Sequence, residues 1–489
     1  MAVLETDAGV DSRAKVGVAG VTAEPHERPR QRTPVTLGDP AGEPDVLPRA
    51  SELAFGRGLP RERVQAVDPL LRDTHTSTRT ETPLGVPTGG YPGPRGPTPG
   101  RHPPSRVATL KRWLGEAAPV RVCNYLELAS YLDRSGIGTA AAQQRAALAT
   151  TDVDVITSPW RHGSPASAAR SWLAGRGGVR DYDLVHCNLI GPGSLAVARH
   201  ARRTGRPLVL HVHVTREDFA ESFRGSTHLA GPLGRYLRWF YSQADLVLCP
   251  SRYTRRLLAE YPVDAPVRPV TNGVDVASLS GFESLREPYR ERFDLDGLVA
   301  FAVGNVFERK GLTTFCRLAQ STDYEFAWFG PYDTGPQASA TVRRWVTDPP
   351  ENVTFTGWVD DKRGAFAAGD VYLFPTKNEN QGIAVLEAMA CGKPVVLRDI
   401  PVFEEFFTDG EDCLKCETEA EFRAALDRLA EEPALRRRLG ANARETAEEH
   451  SLERVGKRLR ELYRAVLDGR EPPERDSGES PERDGQHRK

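Results

Sequence analysis

From Val120 onward the chain alternates short, continuously apolar runs with longer stretches of mixed polarity. A first set contains VRVCNYLEL, DVDVITSP, DLVHCNLI, PLVLHVHV and ADLVLCPS; a second contains LVAFAVGN, YEFAWFG, NVTFTG, DVYLFPT and KPVVLRD. A strand covered on both faces has no polar side, so it reads as an unbroken apolar run rather than as an alternation. Helical stretches between most of the runs predict βαβ units and parallel sheets. A polar stretch at roughly 276 to 296 divides the two sets. The expected fold class is therefore α/β, with two doubly wound, Rossmann-like parallel-sheet domains facing each other across a cleft. Their expected bounds are 120–285 and 297–450, and a helix at 451–470 is expected to return to the first domain.

The chain before Val120 has a different texture. Residues 1 to 105 contain 16 of the 38 prolines and two aromatic residues, Phe55 and Tyr91, and include the linker-like run GVPTGGYPGPRGPTPG. Such a segment has almost no aromatic anchors for a core and is expected not to fold. Two readings of this arm stay open: a functional disordered segment, or a misassigned start. In the second the true start is a valine such as Val120 or Val122, since no methionine lies between Met1 and Met389. The charged, proline-bearing residues 471–489 are expected to be disordered as well.

Charge and cysteine usage narrow the classes. With 65 basic and 67 acidic residues there is no global positive field, which excludes nonspecific nucleic-acid binding as the leading function. No secretory apolar segment and no 18-residue apolar run is visible, and the seven cysteines are scattered apart from Cys413 and Cys416. A reduced, cytoplasmic, non-spanning protein is expected, resting on the inner face of a membrane if it touches one. The Cys413–Cys416 pair has no second Cys or His pair at zinc-site spacing and carries no expected function.

The chemistry concentrates in DVYLFPTKNENQGIAVLEAMACGKPVVLRD. This segment predicts a strand over 370–374, a loop over 375–380, a helix over about 381–391, a stop at Gly392 and a strand beginning near Pro394. Ligands of open α/β sheets bind beyond the carboxyl ends of the strands, where this loop lies. Gly382 and Ile383 open the helix, where a glycine lets the backbone approach a ligand and free N–H groups can take a diphosphate. Glu379 and Glu387 are expected to be divided between loop and helix. Glu379 can accept hydrogen bonds from sugar hydroxyls, and Glu387 can hold the vicinal diol of a ribose.

Two glutamates with seven residues between them, inside NENQGIAVLEAMACGKPVV, resemble the donor-site signature of family 4 (group 1) glycosyltransferases of the GT-B fold. The resemblance covers roughly Val120 to Leu467. It implies a retaining transferase that takes a hexose from a UDP- or GDP-linked nucleotide sugar, with no metal or other cofactor. VGNVFERKGLTTF resembles the strand–loop–helix that opens the second domain of the family, which implies that Arg309 and Lys310 hold the leaving diphosphate. Many members have an arginine directly after the glycine; here Asn305 follows Gly304, so more of that role falls on Arg309, Lys310 and backbone. ENVTFTGWV resembles the segment whose backbone meets the nucleobase, near Val359. The Asp152-Val-Asp154 pair mimics the metal-binding acids of the other glycosyltransferase fold and is read as coincidence.

In the first set of runs, Gly136 and Gly138 lie between a strand and a helix, where the family has a loop facing the donor phosphate and the acceptor. PLVLHVHV carries His211 and His213, and the resemblance implies that His213 lies near the reacting sugar. The two rings are expected on opposite faces of the strand, so that at most one points into the cleft; His186 is read as structural. A zinc site from His211 and His213 lacks a further ligand at suitable spacing.

Taken together, HVHVTREDFAESFRGS, TNGVD and NENQGIAVLE resemble most the branch of 1,2-diacylglycerol 3-glucosyltransferases and related archaeal and bacterial hexosyltransferases, which implies a lipid or sugar acceptor. HLAGPLGRYLRWFYSQ, with Leu237, Trp239, Phe240 and Tyr241 among Arg235 and Arg238, is a candidate for peripheral membrane contact. The segment from Arg161 to Arg180 is a second. Competing readings are a nucleotide-sugar epimerase or glycosyl phosphorylase of the same fold, and a noncatalytic nucleotide-sugar-binding protein.

Overall fold

The computed structural model describes residues 119–160, 180–216, 226–260, 263–335 and 338–474. The expectations for residues 1–105, for 161–179 and for the tail from 475 lie outside the described residues. Two parallel sheets of six described strands each carry the fold. The first contains β1 (Arg121–Tyr125), β2 (Asp154–Ile156), β3 (Leu184–Cys187), β4 (Leu208–His211), β5 (Leu246–Cys249) and β6 (Val267–Pro269), in the order β2-β1-β3-β4-β5-β6. The second contains β7 (Val299–Val303), β8 (Glu325–Phe329), β9 (Val353–Gly357), β10 (Val371–Phe374), β11 (Val395–Arg398) and β12 (Leu414–Cys416), in the order β12-β11-β10-β7-β8-β9.

The unbroken apolar runs follow from coverage on both faces. β3, β4, β5 and β10 are buried at every position. Alternate residues feed two cores: Cys123, Val185, Leu208, Leu210 and Val247 enter one, while Val122, Leu184, Val209 and Leu246 enter the other. Helix Leu452–Leu467 completes the second of these with Leu452, Val455, Leu459, Leu462 and Val466, spaced three and four apart as one helical face requires. Full burial of each such side chain stabilises by roughly 1.5–3 kcal/mol.

Residues 276–296 do more than divide the two sheets. They form two short 3-10 turns and the helix Arg286–Phe293. Val274, Leu279, Tyr289 and Leu295 lie in the core of the second sheet with Phe301, Phe366 and Tyr372. Arg286 and Arg290 both pair with Asp370, at 2.6 and 3.2 Å. The packing of the second sheet therefore begins near Val274, earlier than the expected boundaries at 285 and 297, because Phe282, Leu285, Tyr289 and Phe293 make an apolar stripe inside a stretch that is polar on average. The ordered chain also runs past 470: the carbonyls of Pro472 and Pro473 accept hydrogen bonds from Arg268 and Arg458, both at 2.7 Å.

The carboxyl edges of the two sheets face each other. Thr254, beyond β5, donates to the Asn380 side chain beyond β10. Glu405, beyond β11, accepts from the backbone N–H groups of Arg252 and Tyr253 at 2.8 and 3.1 Å. Arg134, beyond β1, lies over the ring of Trp358, beyond β9, with 4.9 Å to its centroid.

Candidate active site

In the second sheet the strand order reverses between β7 and β10, the place beyond the strand ends where open α/β sheets bind ligands. The loop after β7 turns through the 3-10 segment Glu308–Lys310, and the loop after β10 carries Thr376 to Gln381. They are stitched together: Lys377 N–H donates to the Arg309 carbonyl at 2.7 Å, and Arg309 donates to the Asn378 carbonyl at 3.3 Å. Lys310 Nζ forms an ion pair with Glu379 Oε1, and Arg309 Nη1 lies 3.8 Å from the same oxygen. Glu379 is largely buried, so this pair is held away from the screening that weakens surface ion pairs.

Gly382 has φ +93° and forms the N-cap of helix Ile383–Ala390. A side chain there would be strained in this left-handed conformation and crowded, with Phe403 3.2 Å from an added Cβ. Ile383, half-buried, is the first helical residue. Glu387 is buried one turn further on, and its Oε1 accepts from Lys362 Nζ at 2.6 Å. Glu379 and Glu387 are thus divided between loop and helix, each with its own lysine. Val359 is buried in the hydrophobic core, and the ring of Trp358 before it is exposed.

The first sheet presents a different chemistry beyond its own reversal, between β1 and β3. Asn124 and His186, each one residue before the end of β1 and β3, share a face with His211, which ends β4, and His213 follows. The His211 and His213 rings stack with centroids 4.3 Å apart and planes 4° apart, and His186 stacks on the other side of His211 at 5.5 Å. The expectation of opposite faces is corrected here: residues two apart on an extended chain point the same way. Burial lowers the pKa of His213 to about 4 and that of His186 to about 3. His211 is lowered well below its ordinary value by burial first and by its two histidine neighbours second. All three rings are therefore neutral near pH 7. His186 Nδ1 lies 2.7 Å from the Tyr463 hydroxyl of the last helix, in keeping with a structural role.

Gly136 and Gly138 are the first and third residues of helix Gly136–Ala149 rather than a loop before it. Ser135 caps this helix by accepting from Gly138 N–H at 3.1 Å. A Cβ at Gly138 would lie 2.0 Å from the Leu132 carbonyl oxygen, so close backbone packing accounts for that glycine; at Gly136 the space is open.

The model of the group 1 glycosyl transferases matches residues 297–432, and that of glycosyltransferase family 4 matches 125–278. A processive diacylglycerol alpha-glucosyltransferase of Acholeplasma laidlawii is 30% identical over 354 residues, which cover 71% of this chain and 99% of that protein. The chain belongs to the family 4, group 1 glycosyltransferases. An alpha-D-kanosaminyltransferase of Streptomyces kanamyceticus is also similar, 25% identical over 58% of this chain and 77% of its own length. Among solved structures, a sucrose-phosphate synthase from Thermosynechococcus elongatus superposes with a TM-score of 0.58 at 19% identity, covering 72% of this chain and all of that one. The Anabaena protein HepE in complex with UDP and glucose superposes with a TM-score of 0.53 at 17% identity, covering 70% and 98%. Both show the GT-B fold.

In this glycosyltransferase, then, Lys310, Arg309 and Glu379 meet beyond the β7–β10 reversal, Gly382 and Ile383 begin the helix that follows, and Glu387 lies one turn further along it. His213 belongs to a separate cluster beyond the first sheet. Several residues of the site escape a reading of the sequence. Lys362 opens a different helix from its partner Glu387 and stands 25 positions from it. Gln381 accepts from the Asn272 backbone and side-chain N–H groups at 2.9 and 2.8 Å and donates to Thr271, tying the donor loop to the chain that leaves the first sheet. Glu127 accepts from the N–H groups of Gly193 and Ser194, at 2.8 and 3.0 Å, and so satisfies the start of helix Pro192–Arg203. The Asp152 and Asp154 pair has structural partners: Arg460 and Arg464 for the first, Arg121 for the second. Cys413 and Cys416 are buried and unpaired as disulfides.

Proposed function

We propose that this glycosyltransferase moves a hexose from a UDP- or GDP-linked donor to the hydroxyl of a membrane lipid, with retention of anomeric configuration and no metal. The observation that carries the donor half is the Lys310–Glu379 pair at the strand-order reversal of the second sheet. A leaving nucleoside diphosphate gains negative charge as the glycosidic bond breaks. Lys310, Arg309 and the N–H groups at the start of helix Ile383–Ala390 supply fixed positive charge for it, so it needs no added cation. Glu379 then turns to the sugar hydroxyls, and Glu387 to the ribose diol. The acceptor hydroxyl attacks from the face the diphosphate leaves, and its proton passes to the departing phosphate oxygen.

The lipid half is supported by the name of the Acholeplasma relative and by surface chemistry. In helix Ser226–Tyr241, Leu237, Phe240 and Tyr241 are core residues, so the expected aromatic cluster is reduced to Trp239, 45% exposed, beside the exposed Arg235 and Arg238. Tyr131, 80% exposed, in the short helix Ala129–Leu132 after β1, and its N-cap Leu128, 58% exposed, add apolar surface. Aromatic and basic side chains together suit an anionic bilayer surface, each cation adding about 1 kcal/mol. No helix among the described residues is long and apolar enough to cross a membrane.

The test is a panel of UDP- and GDP-sugars against diacylglycerol in vesicles and against soluble sugars, with product mass and anomeric configuration measured. Release of nucleoside diphosphate only in the presence of acceptor separates transfer from epimerase or phosphorylase chemistry. Sedimentation with anionic vesicles at low and high salt tests the surface; equal transfer to soluble acceptors with no sedimentation at low salt would remove the lipid.

A further inference from the structure

We propose that a directional chain of side-chain amides, Asn188–Asn124–Gln144, fixes the tautomer of His213 and leaves its Nδ1 as a bare hydrogen-bond acceptor. The consequence for catalysis rests on the transferase reading, in which His213 lies near the donor sugar. The chain begins at His213 Nε2, 3.0 Å from Asn188 Oδ1. Asn188 Nδ2 donates to Asn124 Oδ1 at 3.2 Å, Asn124 Nδ2 donates to Gln144 Oε1 at 3.1 Å, and Gln144 Nε2 lies 3.0 Å from His211 Nδ1.

Each bond dictates the next. An amide oxygen can only accept, so His213 Nε2 carries the proton and, in a neutral ring, Nδ1 carries none. With its oxygen turned to His213, Asn188 presents its NH2 to Asn124, which must answer with oxygen and turn its own NH2 to Gln144. Gln144 in turn donates to His211, whose proton is thereby placed on Nε2, the one end of the chain that is buried without a partner among the described residues. Asn124, Asn188 and Gln144 are buried at 0%, 0% and 1% exposure. Turning any one of them alone sets two donors or two acceptors against each other out of reach of water, where an unmet polar group is expensive. The amides therefore turn together or not at all. The stack of His211 on His213 holds the ring plane as well.

Asn188, Asn124 and Gln144 are in this sense positioning residues that act through His213. A bare Nδ1 accepts from a hydroxyl and repels a carboxylate or phosphate oxygen. His213 therefore favours a neutral sugar that brings a hydroxyl to it over one that brings a carboxylate.

The chain is tested in the full-length enzyme labelled with 15N-histidine, using long-range proton–nitrogen correlations, with His213→Ala to assign the signal. The expected wild-type spectrum has His213 neutral with its proton on Nε2. Asn188→Leu removes the acceptor, so the ring should become a mixture of tautomers. Its kcat should fall about ten- to a hundredfold, while the Kd of UDP or GDP alone, held by the second sheet, stays unchanged. Gln144→Glu cannot donate to His211, so His211 should move its proton to Nδ1 while His213 keeps the wild-type pattern. A wild-type proton on His213 Nδ1, or an unchanged His213 signal and turnover in Asn188→Leu, overturns the proposal. Should Asn188→Leu not fold, the wild-type and Gln144→Glu spectra decide. The expected spectra with no sugar transfer to any acceptor would leave the amide chain standing and sink the transferase reading instead.

Discussion

The two sheets solve the same topological problem with opposite chemistry. Beyond the second sheet, charged side chains meet in pairs: Glu379 with Lys310, and Glu387 with Lys362. Beyond the first, the clustered groups are neutral: three stacked histidines with lowered pKa values and three amides in a directional chain, while the one buried carboxylate named there, Glu127, is met by backbone N–H groups rather than by a cation. A pair of opposite charges tolerates burial through mutual attraction, whereas a neutral network holds each member it satisfies in a fixed direction; here His186 Nε2 and His211 Nε2 are left buried without a partner among the described residues. The first arrangement can answer a change of charge on a ligand. The second can only hold shape and proton positions. The difference assigns charge stabilisation to one sheet and orientation to the other.

The largest expected effect breaks the charged side. Glu379→Gln and Lys310→Ala should each lower kcat by two to three decades, about 2–4 kcal/mol of barrier. Steady-state kinetics beside a thermal melt check this, and the loss of turnover should far exceed the loss of stability. Near-normal activity in both would remove the donor site from the loops after β7 and β10.

The neutral side should respond in the other currency. His211→Ala opens a cavity between two rings and strands Gln144 Nε2, so it should cost about 2–4 kcal/mol of stability. His213→Ala, at the end of the stack and partly exposed, should cost less stability and more turnover. Urea unfolding and kcat, measured on both variants, give the comparison; the reverse ranking would place His211 at the sugar.

The pH dependence of stability sharpens the contrast. A histidine held below its ordinary pKa of about 6.5 binds fewer protons folded than unfolded, so stability is complete above that value and falls as pH falls toward the folded pKa. For His213 the window runs from about 6.5 down to about 4, and for His186 down to about 3. His186→Gln should flatten the acid limb of stability by up to about 1.4 kcal/mol per pH unit in that window. Denaturant titrations at several pH values read the slope, and an unchanged slope would mean that His186 protonates in the folded state.

The smallest effect is expected from the chain outside both sheets. Deleting residues 1–105, whose only aromatic anchors for a core are Phe55 and Tyr91, should leave the melting temperature of the remainder unchanged. A drop of several degrees would show that the arm docks.

What the sequence determined by itself was whatever is encoded locally. Unbroken apolar runs announced strands covered on both faces, and their alternation with helices announced two parallel sheets, because side-chain period and coverage are properties of a few consecutive residues. The two glutamates were legible for the same reason: strand, loop and helix of one βαβ unit place them. Tertiary structure decided what depends on residues far apart in the chain. Lys362 meets Glu387, Gln381 meets Thr271 and Asn272, and Tyr463 meets His186 across 277 positions. Asn124 near the end of β1, Asn188 just after β3 and Gln144 inside helix Gly136–Ala149 look like any polar residues until the order β2-β1-β3-β4 and the packing of that helix bring them together. Hydrogen-bond direction is a property of the assembled partners, and no stretch of sequence holds all of them at once.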